Sequence, residues 1–326
     1  MQSKSPGQIE IVEVSPRDGL QNEPVQVSTV HKLSLVKRAV QAGARRVEAV
    51  SFVSPKAVPQ MADAEALMAA IRADSTLQSS GARFAGLVLN RRGLDRAISA
   101  NVDEINFVVL ASETFNQRNQ RATIAETLSS LAACCEDARA AGLPVSVTIG
   151  ASFGCPFEGE VSEGRVLEIA SECADLGVDE IALADTIGVA NPLAIERLFG
   201  ALREALQSMR LRAHLHDTRN TGVANAYAAS RAGVSALDAS IGGIGGCPFA
   251  PAATGNVATE DLVYMFSRMG VETELDLETV RAAACWLQDE VLEKTLPSAL
   301  LRAGGFPFGE RTDQSHDQAA CIADGV

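Results

Sequence analysis

The chain has 326 residues, 47% of them hydrophobic and 21% charged, with a formal net charge of −13. This is globular composition with length for one large domain or two small ones. Its acidity argues against a nucleic-acid partner, because phosphate neutralisation needs a basic surface.

The opening MQSKSPGQIEIVEV passes from a short polar tail directly into a strand-like run. It shows neither the apolar core of a signal peptide nor the Arg/Ser bias of a transit peptide. No stretch is apolar for long enough to span a bilayer, so no membrane association is expected. Seven cysteines (Cys134, Cys135, Cys155, Cys173, Cys247, Cys285 and Cys321) lack CxxC spacing and read as reduced thiols of a cytoplasmic protein.

Short β-branched runs then alternate with longer amphipathic ones. Strands are predicted at Ile9–Val14, Arg46–Phe52, Phe84–Leu89, Glu104–Leu110, Val145–Ile149, Glu180–Ala184, Ala213–His216 and Leu237–Ile241. Helical patterns include Val30–Ala42, Ala122–Ala141, Ser162–Leu176 and Pro192–Met209. Gly43, Gly142, Gly177 and Gly233 each follow a helix and precede a strand, the position where a helix commonly stops. Eight βα units over about 260 residues predict an α/β fold of the (β/α)₈ TIM-barrel type. A doubly wound sheet would carry a glycine-rich dinucleotide turn after the first strand, and Ser15-Pro16-Arg17-Asp18-Gly19-Leu20 is not one. Helices over Thr259–Met269 and Asp276–Lys294 complete a domain spanning residues 1–300, and residues 301–326 read as a mobile tail.

The sharpest chemical signal is His214-Leu215-His216-Asp217-Thr218, which holds two of the chain's four histidines at the end of the seventh strand. Residues i and i+2 of a strand share a face, so both imidazoles project together at the end where barrel enzymes build their sites. Taken alone, the pair fits a metal ligand set and an inert hydrogen-bonded pair equally. Barrel closure makes strands 7, 8 and 1 neighbours, which adds Asp18 and Asn256 to the two histidines. Two oxygens and two nitrogens, with no thiolate, suit Mg²⁺ or Mn²⁺ better than a structural Zn²⁺. Arg17 leaves the first strand beside Asp18. It reads either as a stabiliser of an enolate formed from a thioester or as a salt-bridge partner of Glu48 or Asp185. The run Gly242-Gly243-Ile244-Gly245-Gly246-Cys247-Pro248 reads either as a lid carrying one proton-transferring thiol or as a flexible turn. Cys155 follows strand 5, away from the metal set, and reads as structural.

These residues lie in stretches that resemble the hydroxymethylglutaryl-CoA lyase family: VEVSPRDGLQNEP (Val12–Pro24), SFVSPKAVPQM (Ser51–Met61), GCPFEG (Gly154–Gly159), DTIGV (Asp185–Val189), HLHDT (His214–Thr218) and GGIGGCPFAPAATGNVATEDLVYM (Gly242–Met265). The resemblance implies a retro-Claisen cleavage of a 3-hydroxyacyl-CoA to acetyl-CoA and a 3-oxo acid, as in leucine breakdown. It implies Asp18, His214, His216 and Asn256 as metal ligands, Arg17 as enolate stabiliser, Cys247 as catalytic cysteine, and Glu48 and Asp185 as acids that organise the site. A homo-oligomer, dimer or tetramer, is also implied.

The chain departs from the family pattern at three places. Ser146-Val147-Thr148 stands for an Arg-x-Tyr on strand 5, Arg219-Asn220 for a Tyr-Gly, and Ala182-Leu183-Ala184 for a Ser-Leu-Gly. We therefore expect Arg17, Gln21, Ser146, Thr148 and Arg219 to contact substrate. Small residues at 146 and 148 would enlarge the pocket for a differently shaped acyl group, such as citramalyl or a longer 3-hydroxy-3-alkylglutaryl. A Claisen condensing enzyme fits less well, since its Gly-Glu-Arg-x-Gly-Asn run and extra C-terminal domain are missing. A non-catalytic barrel binding metal or acyl-CoA would leave the full set of Arg17, Asp18, both histidines, Cys247 and Asn256 without a purpose.

Overall fold

The computed structural model describes residues 7–246, 255–304 and 306. Eight parallel strands close into a barrel: β1 Glu10–Glu13, β2 Arg46–Ser51, β3 Arg83–Val88, β4 Glu104–Leu110, β5 Val145–Gly150, β6 Glu180–Asp185, β7 Arg210–Leu215 and β8 Ala236–Ala239. Closure runs through β1 and β8, which pair in register from Glu10↔Ala236 to Glu13↔Ala239. The predicted (β/α)₈ barrel is the fold observed.

The helices form where the apolar spacing placed them, within a few residues. Val30–Ala42 is Thr29–Gln41, Ala122–Ala141 is Ile124–Ala140, and Ser162–Leu176 is Glu163–Asp175. Each is opened by a hydroxyl that accepts from a backbone N–H of the first turn: Ser28, Thr123 and Ser162. The four predicted glycine stops all take positive φ, between 72° and 109°. Two expected helices are shorter. Pro192–Met209 ends at Ala205, and Asp276–Lys294 splits into an α-helix over Leu277–Trp286 and a π-helical turn over Leu287–Leu292.

The largest departure is β7, which begins at Arg210, three residues before the expected Ala213. Two arginines broke the apolar pattern that marks a strand. Arg212 points into the barrel, where an interior ion network balances its charge. Its Nε lies 2.8 Å from Glu180 Oε1 and its Nη1 2.6 Å from Asp238 Oδ1. Arg46 on β2 pairs with Glu104 and reaches both Glu180 oxygens, at 2.7 and 3.0 Å. Burial alone would raise the Glu180 carboxyl, yet Arg212 and Arg46 hold it below its ordinary range.

A buried network of this kind is costly to break, because losing one partner strands the others without water. Glu180→Gln removes the charge shared by two arginines that are at most 2% exposed. We expect a loss of about 3–5 kcal/mol in unfolding free energy, read by urea denaturation. Wild-type stability in this variant would mean that the arginines are held by other groups.

Candidate active site

The residues after β1 form a π-helical turn over Ser15–Gly19. The turn carries Arg17 and Asp18 off the end of the strand and aims them at the barrel mouth. Glu13 ties this turn to its neighbours. It accepts from the Ser15 and Ile241 backbone N–H groups at 2.8 and 3.0 Å and from the Thr259 hydroxyl at 2.7 Å. Asn256 is placed by backbone pairing: the Val257 N–H donates to Leu215 and the Asp217 N–H to Gly255, which sets Asn256 opposite His216. Gly245 lets the glycine-rich segment lie directly on this cluster. A Cβ there would come within 2.5 Å of Asn256 Nδ2 and 2.9 Å of the Asp18 carbonyl oxygen.

The expected metal set is brought together. Ligand atoms of Asp18, His214 and His216 lie within 4.8 Å of one another. The two imidazole Nε2 atoms approach to 3.2 Å, and His214 Nε2 is 3.8 Å from Asp18 Oδ2. Asn256 Nδ2 donates to Asp18 Oδ2 at 2.8 Å, while its Oδ1 is buried with no partner. A divalent cation fits this donor set. Two ligand atoms about 2.1 Å from a shared ion and at right angles lie about 3 Å apart. Two ring nitrogens and a carboxylate meet here, and the buried Asn256 amide adjoins them through its Nδ2–H to Asp18.

His214, a candidate ligand, is oriented from behind. Its Nδ1–H donates to Asp238 Oδ2 at 3.0 Å, which leaves Nε2 with its lone pair forward. Burial disfavours the His214 cation, but the Asp238 hydrogen bond and the Asp18 charge outweigh it and raise its pKa. Burial and the neighbouring His214 push His216 down to about 4, so it stays neutral at neutral pH. Asp18 is opposed by burial too, yet Arg17 and the two histidines hold it below the usual carboxylate range.

Arg17 pairs with both Glu48 and Asp18 and is 6% exposed. The salt bridge and the place beside the metal set are therefore one arrangement. These contacts occupy Nε, one N–H of Nη1 and one of Nη2, three of the five donors of a guanidinium. Asp185, at the end of β6, accepts from the Val189 and Ala190 N–H groups at 2.8 and 3.0 Å and so shapes the loop that follows. Burial raises its pKa. Gln21 is half-buried just beyond the turn after β1. Cys155 closes its own turn, with Sγ 2.9 Å from the Ser112 hydroxyl, and packs in a small core with Leu110, Phe115 and Ala151. Cys247 lies outside the described residues.

Three substrate residues expected from the sequence are placed differently from one another. Thr148 is inside the barrel, 8% exposed, and donates to Asn106 Oδ1 at 3.0 Å. Ser146 lies deeper, and the space expected beside it is taken. Arg212 Nη2 is 3.4 Å from the Ser146 hydroxyl, so β7 supplies the charge that β5 lacks. Extra room at this level is thus a reading that the structure corrects. Arg219 donates to the carbonyls of Ile187 and Gly188 at 2.7 and 2.9 Å, bracing the loop after β6. Sequence reasoning missed Asp238 and Asn106. The available signal was a polar residue at an inward position of each strand, Asp238 in ALDA and Asn106, two places after Glu104, in EINFVVL.

A family model described as HMGL-like matches residues 8–286. The chain is 43% identical to the (R)-citramalyl-CoA lyase of Chloroflexus aurantiacus, over 91% of its own length and 95% of that protein. It is 37% identical to a hydroxymethylglutaryl-CoA lyase of Bacillus subtilis, over 91% and 97%. A crystal structure of an HMG-CoA lyase from Acinetobacter baumannii, in complex with coenzyme A and 3-methylmalate, superimposes with a TM-score of 0.87 at 38% identity. It covers 94% of this chain and 98% of that one.

Asp238→Asn tests how the site is held, because an amide can present its oxygen or its NH₂ to His214 Nδ1 and no longer balances Arg212. Mn²⁺ affinity, followed by electron paramagnetic resonance on chelator-stripped protein, should fall about 10- to 100-fold. Unchanged affinity would show that His214 needs no support from β8.

Proposed function

Since the chain belongs to the HMGL-like family, we propose that Asp18, His214, His216 and Asn256 hold a Mg²⁺ or Mn²⁺ ion for the retro-Claisen reaction. The enzyme is a carbon–carbon lyase for a CoA thioester, of the hydroxymethylglutaryl-CoA lyase type. The observation that supports the metal assignment is the pair of imidazole nitrogens 3.2 Å apart beside the Asp18 carboxylate. When bound, the cation supplies Lewis acidity to substrate oxygens.

The chain's own groups do the rest. Removing the proton of the 3-hydroxyl turns C3 into a carbonyl as the C2–C3 bond breaks. C2 is left as a thioester enolate, which takes up a proton to become acetyl-CoA. Arg17, clamped by Glu48 and Asp18, offers its remaining N–H groups to the oxygen on which that charge grows. Cys247, or a group it positions, is the proton donor in this reading. Thr148 and Gln21 are the substrate contacts that we retain from the sequence, and Asp185 acts through the loop it shapes. A cytoplasmic homo-oligomer serving leucine breakdown rests on the family resemblance. No described helix is long and apolar enough to cross a membrane.

The acyl group that we assign is a 3-hydroxy-3-methyl diacid. Hydroxymethylglutaryl and citramalyl differ by one methylene. Arg212 and Asn106 fill the barrel below Thr148, which disfavours longer alkylglutaryl groups and favours the shorter citramalyl. The C. aurantiacus relative is named for that activity.

Arg17→Lys keeps the charge and loses the fork. We expect kcat to fall on the order of 10²–10³-fold with little change in KM, measured by steady-state kinetics. A wild-type kcat would leave Arg17 a salt bridge only. For the acyl group, a panel of 3-hydroxyacyl-CoAs is assayed after EDTA treatment and again with Mg²⁺ or Mn²⁺ returned. Activity should vanish and return, and citramalyl-CoA should lead in kcat/KM by about 10- to 200-fold, the worth of one methylene. If hydroxymethylglutaryl-CoA is cleaved at least as efficiently as the rest, the shorter-acyl reading is wrong. Turnover in EDTA, with metal removal verified, would end the metal reading.

A further inference from the structure

We infer that Asn106 is a positioning residue that aims the Arg17 guanidinium, acting through Glu48 and held in place by Thr148. Asn106 is in the middle of β4, faces into the barrel and is 2% exposed. Its Nδ2 donates to Glu48 Oε2 at 2.8 Å, while Glu48 Oε1 receives Arg17. Each oxygen of this buried carboxylate thus has its own partner. On the other side, Asn106 Oδ1 accepts from the Thr148 hydroxyl at 3.0 Å and lies 3.5 Å from that of Ser146. A carboxylate only accepts, so Glu48 fixes the amide with its NH₂ forward, and the β5 hydroxyl completes it from behind.

A barrel interior needs no amide at this depth for packing alone. An apolar side chain of similar volume would avoid burying polar atoms. What the amide adds is direction. Without it Glu48 Oε2 is desolvated and unpaired, the carboxylate is free to turn, and the guanidinium loses the surface that sets its angle. Thr148, which the proposed reaction uses only as a substrate contact, acquires a second purpose here as the hydroxyl that anchors Asn106 Oδ1. The inference rests on the reading of Arg17 as enolate stabiliser.

The test is a double-mutant cycle on the holoenzyme with Asn106→Leu and Arg17→Lys, reading kcat, KM and Mn²⁺ affinity. Asn106→Leu should lower kcat about 10- to 100-fold, the size of one hydrogen bond to a charged group, with KM and Mn²⁺ affinity nearly unchanged. In the double variant the second change should add little, because the lysine has already lost the geometry that Asn106 protects. If the two losses multiply, or if Asn106→Leu keeps wild-type kcat while Arg17→Lys is impaired, this inference alone is overturned. A wild-type kcat in Arg17→Lys overturns the enolate reading and this one with it. Should the leucine variant fail to fold, by circular dichroism, Asn106→Ala takes its place in the cycle. That variant removes the donor without adding a charge beside Glu48.

Discussion

Everything in this site depends on the pairing of β8 with β1. That ladder, Glu10↔Ala236 to Glu13↔Ala239, closes the barrel and makes neighbours of residues 226 apart in sequence. Asp18 follows β1, His214 is on β7 and Asn256 follows β8, so closure alone converts three distant segments into one donor set. The β7–β8 register does the same at close range. It sets His214 opposite Asp238, which lets one carboxylate serve both the imidazole and Arg212.

Closure also determines what the interior must be. A barrel whose strands are buried on both faces normally fills its centre with branched apolar side chains. Here much of the centre is charged: Arg46, Glu104, Glu180, Arg212 and Asp238 are each at most 3% exposed. Such charges persist only when each has a partner, because isolated burial in a low-dielectric interior is prohibitive. The pairing is continuous. It runs from Arg17 through Glu48, Asn106, Ser146, Arg212 and Asp238 to His214. The guanidinium face and the metal face of the mouth therefore share one polar foundation.

The fixed carboxylates divide by surroundings. Asp238 is buried and Asp18 half-buried, yet adjacent cations keep both below the usual range. Glu260, which accepts from the Gly242 N–H at 3.1 Å, is buried with no cation facing it among the described residues and is pushed up to about 8. The first kind stays charged beside the proposed metal. The second braces the start of the glycine-rich segment with little charge of its own near neutral pH.

The fold was legible in the sequence because its signals are local. The 3.6-residue spacing, the hydroxyl caps and the glycine stops act within a few residues, and they placed the βα units to within a turn. The metal set was legible for a different reason. His214 and His216 share a face by strand geometry, and a closed barrel leaves few rim positions for Asp18 and Asn256. The start of β7 was not legible, because Arg210 and Arg212 look like a loop until Glu180 and Asp238 are present to pair with them. The pocket around Ser146 was misjudged for the same reason. A small residue predicts space only if no other strand fills it, and Arg212 comes from β7. Asp238 and Asn106 read as polar interruptions in apolar runs, without partners to give them a purpose. The chain by itself determined the barrel, the candidate donor residues and the family. Only the tertiary structure decided which buried charges face one another, since pairing across a barrel depends on register between strands that are far apart in sequence.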